Sequence, residues 1–201
     1  MDSNDILGSL MDQLGSGGVD QFGRAVGVSG GDVTNVLAGA IPAMMAGLTR
    51  NTASSDGANA LLGALDRDHD GSILDDVAGY LGGGGNLADG AGILGHIFSG
   101  RTTNVERTVS RSSGVDLGAV TQIMSMVAPL LLGALGKAKR QQGFDASGLA
   151  AALGQTQERA RSASPSAVDM FTRMLDSDGD GDSTDDIVRM GSSLLGSFFK
   201  R

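Results

Sequence analysis

Eleven of the 21 Asp residues in this 201-residue chain fall in two windows of eleven positions each. The first window carries Asp66, Asp68, Asp70, Gly71, Ser72, Asp75 and Asp76, and the second carries Asp176, Asp178, Asp180, Gly181, Asp182, Asp185 and Asp186. Three carboxylates at alternate positions followed by Gly form the opening of a calcium loop of EF-hand type. Alternate positions on a tightly turning chain aim oxygens at one centre, and Gly takes the sharp backbone turn that a residue with a Cβ resists. The residue after Gly, Ser72 or Asp182, is expected to add its backbone carbonyl. Hard oxygen donors without thiolate or paired imidazole select Ca²⁺, with Mg²⁺ as a smaller and stricter competitor.

Charge supports the same chemistry. Two carboxylates about 5 Å apart repel by roughly 0.8 kcal/mol even in water, and each window holds many such pairs. A divalent cation reverses the sign of the whole set, so metal binding is expected to order the loop. The pattern departs from an EF-hand at its twelfth position, where Val77 and Ile187 replace the usual bidentate Glu. Asp75 and Asp76, or Asp185 and Asp186, are therefore expected to close the shell from the first turn of the exiting helix, where negative charge suits the helix dipole. A solvated acidic turn before a helix N-terminus, capped by Ser72 and Ser183, uses the same residues without a metal. The full motif occurs twice, which favours the metal.

The elements that must position these loops read as helices. Ala58 to Leu65 and Ile73 to Leu81 flank the first window, and Ser166 to Leu175 and Ile187 to Phe199 flank the second, a helix-loop-helix arrangement. Sliding the chain by 87 residues pairs Ile6, Leu7 and Gly8 with Ile93, Leu94 and Gly95, and Gly27 and Val28 with Gly114 and Val115. The same register pairs Val33 and Thr34 with Val120 and Thr121, Pro42 with Pro129, and Leu48 with Leu135. This predicts one all-α, multihelical domain over residues 1–201, of roughly ten short helices. It would be built from two pseudo-symmetric repeats, 6–82 and 93–199, each with an EF-hand-like Asp-rich loop. Val33, Leu37 and Ile41, with a second stripe of Val36, Ala40, Met44 and Leu48, predict a central helix that is apolar nearly all round. Pro42 and Pro129 are expected to kink or split the two central helices. Val33 to Thr49 and Leu117 to Gly136 are long uncharged stretches, read as buried core helices rather than membrane spans because each contains Pro and polar residues.

Composition narrows the function classes. Only six Phe and one Tyr supply aromatic bulk, so the core must be aliphatic. A net charge of −8 with no local basic cluster argues against nucleic acid as a partner. Without Cys there is no disulfide, thiolate nucleophile or thiolate zinc site. Met1 to Phe22 has no Lys or Arg, so no ordinary signal peptide is expected and the cytoplasm is the expected location. His69 lies inside the first loop and His96 on an apolar stretch. A lone His so placed is more often structural than catalytic. The glycines from Gly82 to Gly85 lack the Lys-Ser/Thr ending of a phosphate loop. Met44, Met45, Met124 and Met126 read as interior packing rather than an adaptable groove. Gln155 to Arg161 reads as a solvated helix or linker.

With its duplicated Pro-centred helices and its Asp-Xaa-Asp-Xaa-Asp-Gly-Xaa-Xaa-Xaa-Asp-Asp loops, the chain resembles a bacterial family of uncharacterised YidB-like proteins (domain of unknown function 937). The resemblance covers most of the chain, from about Ile6 to about Phe199. It implies an all-helical fold and carries no activity with it. The expectation from the residues is a calcium-binding, non-enzymatic helical protein whose loops fix helix packing. A calcium-responsive adaptor that meets a protein partner or a second copy through an apolar surface is the alternative. An enzyme of unknown chemistry is the weakest alternative.

Overall fold

The computed structural model describes residues 18–163, with side chains as far as Gln157. The chain divides into two compact units, Met1–Gln157 and Glu158–Arg201, and the fold described here is that of the first. Every regular element among the described residues is helical. In chain order they are α1 (18–26), α2 (Gly30–Asn51), α3 (Ser55–Arg67), a 3₁₀ turn (Ser72–Asp76), α4 (Val77–Gly82), α5 (Leu87–Phe98), α6 (Thr102–Ser113), α7 (Leu117–Gln142) and α8 (Ala146–Ala163).

Local chemistry sets the ends of the long helices. Ser29 begins α2 with a reciprocal cap: its hydroxyl accepts from the Asp32 N–H at 3.1 Å, and its own N–H donates to the Asp32 carboxylate at 3.1 Å. Asp116 caps α7 by accepting from the Gly118 N–H at 2.8 Å, and Gly143 ends it in the left-handed conformation. The 22 residues of α2 and 26 of α7 make these helices longer than the short ones expected. Both run through their proline without splitting. Burial explains why. Val36, Ala40, Ala43 and Met44 are buried around Pro42, and every residue from Ile123 to Gly136 is buried around Pro129. That packing outweighs the single hydrogen bond each proline removes.

At the centre lies α7, as its all-round apolar surface predicts. It packs against α2, α3, α5, α6 and the 3₁₀ turn, and α6 also packs on α2. Leu37, Met44, Leu94, Ile123, Met124, Met126 and Leu130 are among the fully buried side chains, so the methionines are interior. Among the described residues α7 is the one helix long and apolar enough to cross a membrane, and 72% of its most apolar stretch is buried inside the protein. The segment Gln155 to Arg161 is helical, in the second half of α8.

Pro129 has no N–H to offer the Ser125 carbonyl four residues earlier. That carbonyl faces Gly90 of α5, where any Cβ would land on the Ser125 backbone. The helices touch main chain to main chain there. Gly90→Ala is expected to force α5 off α7 and to lower unfolding free energy by about 1–3 kcal/mol, read from urea melts. A second buried site is polar. Glu106 of α6 is 7% exposed, and burial raises its carboxyl above the ordinary range despite a hydrogen bond from Thr121. An acid raised in the folded state favours folding while protonated, and that contribution is lost as pH rises through the folded value. Glu106→Gln should therefore raise the melting temperature at pH 7 by roughly 2–4 °C and leave it nearly unchanged at pH 4.

Candidate functional site

The first Asp-rich window begins in the last turn of α3 and ends at the N-terminus of α4. Gly71 has φ +94°, the left-handed turn that the sixth position of a calcium loop requires. After it the chain tightens into the 3₁₀ turn, so the helix expected from Ile73 to Leu81 is divided at Asp76. Leu74 and Val77 point inward and anchor this stretch, while Asp75 and Asp76 face solvent.

The loop rests on the C-terminal half of α7. A Cβ on Gly136 would land on the His69 carbonyl oxygen, and one on Gly133 would meet Ile73 Cγ2 at 2.5 Å. Gly71 in turn lies against Lys137, where an added Cβ would approach the Lys137 Cβ to 2.9 Å. Two small residues on α7 thus let the loop come close against the helix.

Those side chains meet cations. Asp66 Oδ1 accepts from Lys139 Nζ, and Asp70 Oδ2 pairs with Arg140 Nη1 at 3.1 Å. The Lys139 side chain is only 16% exposed, so its stem is held. Asp70 Oδ1 also accepts from the Ser72 N–H at 2.9 Å. The Ser72 hydroxyl, the Ser72 N–H and Arg140 together hold the Asp70 carboxyl down to about 2. It is therefore fully ionised throughout the physiological range. Asp76 Oδ1 caps α4 by accepting from the Gly79 N–H at 2.8 Å. Asp68 ends α3, and Asp68, Ser72 and Asp75 are exposed. Ser72 does not cap a helix: Gly71 precedes the 3₁₀ turn without a side-chain cap.

Thus Asp66 and Asp70 are turned toward α7, Asp76 toward α4, and Asp68 and Asp75 toward solvent. Among the described residues no three His, Asp or Glu side chains converge on one point. The donor set, all hard oxygen around a left-handed glycine, suits a divalent cation by its chemistry. In this arrangement Lys139 and Arg140 bring positive charge to two of its carboxylates, Asp66 and Asp70. Those two residues were not singled out by sequence spacing, because 70 or more positions separate them from their partners. Asp176, Asp178, Asp180, Asp182, Asp185 and Asp186 lie outside the described residues.

His69 and His96 line a cleft of about 750 Å³ between α3 and α5, floored by Leu61, Ile93, Ile97 and Leu132. His69 is part of the acidic loop and faces Gly136 with its carbonyl, whereas the His96 carbonyl accepts from Asn51 Nδ2 at 2.9 Å. The seat of the loop on α7 is testable: Gly136→Ala should lift residues 68–72 from the helix, lower stability by about 1–3 kcal/mol and speed their amide exchange.

A family model for bacterial proteins of unknown function (DUF937) matches residues 8–138, well over half of the chain. The chain belongs to that family. No curated protein and no solved structure matches it.

Proposed function

We propose that this member of a bacterial family of unknown function is a calcium-binding helical module, with Mg²⁺ as competitor, whose Asp-rich loops fix helix packing and catalyse no reaction. The observation that carries this reading is the seat of the first loop. Its left-handed Gly71 and its carboxylate-bearing turn sit on α7 through Gly133 and Gly136, so any ion held there acts on the joint between α3, α4 and the central helix. Asp66, Asp68, Asp70 and the Ser72 carbonyl would form the entry side of the shell, with Asp75 or Asp76 closing it. The second window would serve in the same way through Asp176, Asp178, Asp180, Asp182, Asp185 and Asp186. In the cytoplasm, where free calcium is scarce, occupancy would demand high affinity or fall to Mg²⁺.

The two-repeat reading belongs to the same proposal. It is supported by α2 and α7 starting 87 residues apart, at Gly30 and Leu117, each with an internal proline at the matching place. A responsive adaptor is the second reading, and the apolar-floored cleft between α3 and α5 is what favours it.

Melting the protein with chelator, with calcium and with magnesium tests the proposal. Calcium at about a hundredfold over its Kd should raise the melting temperature by roughly 5–10 °C, and Asp70→Ala with Asp180→Ala should abolish the shift. A hydrophobic dye whose binding does not rise with calcium supports the structural reading, and one whose binding rises supports the adaptor. No shift with either ion removes the proposal.

A further inference from the structure

The cleft between α3 and α5 has walls of small residues, Gly57, Ala60 and Ala64 on α3 and Ala88 and Gly92 on α5, above its aliphatic floor. A Cβ on Gly57 would land on the Asn51 carbonyl oxygen, and Asn51 Nδ2 donates to the His96 and Ile97 carbonyls at 2.9 and 3.1 Å. The first turn of α3 is thus tied to the last turn of α5, and the two helices run antiparallel along the cleft. At the other end Arg67, in the last turn of α3, stands across from Asp89, in the first turn of α5. Each charge lies where its helix dipole favours it. Both residues are exposed, and neither makes an ion pair among the described residues.

We propose that this face binds a second copy of the chain, in a dimer whose two-fold axis runs along the cleft. A two-fold axis lying in an interface sets each point of the face against its mirror point across the axis. With the axis along the cleft, α3 of one copy covers α5 of the other at the same level. Arg67 then meets the partner's Asp89, and Asp89 meets the partner's Arg67. Ala60 and Ala64 meet the partner's α5 around Gly92, where the lack of bulk on both sides permits a short interhelix distance. The face is therefore self-complementary: opposite charges stand on opposite walls, and small residues face small residues. Asp68, on the same rim as Arg67, carries the wrong sign for the partner's Asp89 and limits the affinity. The helices have 13 and 12 residues. Their length of about 18–20 Å and combined width of about 20 Å give a footprint at the low end of specific interfaces, so a dissociation constant in the micromolar range is expected. No metal enters this contact.

Sedimentation equilibrium of the full chain in chelator, from about 1 to 500 μM, tests the dimer. Arg67→Glu and Asp89→Arg should each weaken it about tenfold or more, because each reversal sets two like-charge pairs in the interface, and the two changes together should restore the constant to within about threefold of the parent. Asp68→Asn should leave the dimer as strong or tighten it. A Cβ on Gly92 meets nothing within 4 Å, so a side chain there leaves the single copy intact. Gly92→Gln should therefore weaken the dimer about tenfold or more while the dilute protein melts at the same or a higher temperature. A chain that stays monomeric throughout the range overturns the proposal, as does a dimer that Arg67→Glu, Asp89→Arg and Gly92→Gln leave unchanged. A double charge swap no stronger than the single reversals overturns it too. With calcium absent throughout, the calcium reading stands or falls separately.

Discussion

Five carboxylates crowd into eleven residues, and the end of α7 sets positive charge beside two of them, Asp66 and Asp70. Other features of this region follow from the need to bring the two together. The loop backbone lies close on α7, and Gly133 and Gly136 are the residues that permit it. Gly71 makes the turn that keeps the loop there, and the buried Leu74 and Val77 anchor the stretch that follows it. The exposed ion pairs contribute little energy on their own. Their effect is directional, because they decide where the Asp66 and Asp70 oxygens point once apolar burial has fixed the backbone.

The same device recurs two to three turns earlier along α7. Pro129 leaves the Ser125 carbonyl without its helical donor, and Gly90 brings α5 close against it. A helix apolar nearly all round can be held in a unique orientation only by contacts that depend on the shape of its backbone as well as on side-chain bulk. Small residues at Gly90, Gly133 and Gly136 provide them. Glu106, buried where α6 packs, departs from this apolar logic, and its burial raises the carboxyl above the ordinary range.

Much of this was legible in the sequence. Aliphatic stripes at helical spacing identified α2 and α7 and their burial, and the Asp spacing with Gly71 identified the turn. The continuity of the central helices was not legible. A proline's local penalty is visible in sequence, whereas the burial that outweighs it is a property of neighbours such as α5 and α6. The split of the segment after the loop into a 3₁₀ turn and α4 also escaped pattern reading, since Leu74 and Val77 fit either geometry. The partners of Asp66 and Asp70 were least accessible, because Lys139 and Arg140 read locally as ordinary basic residues in the last turn of a helix.

The most direct measurement is a crystal structure of the full chain grown with strontium, a calcium surrogate with a usable anomalous signal. The account predicts an anomalous peak among the oxygens of Asp66, Asp68 and Asp70. An empty loop with both ion pairs intact at saturating strontium would contradict it.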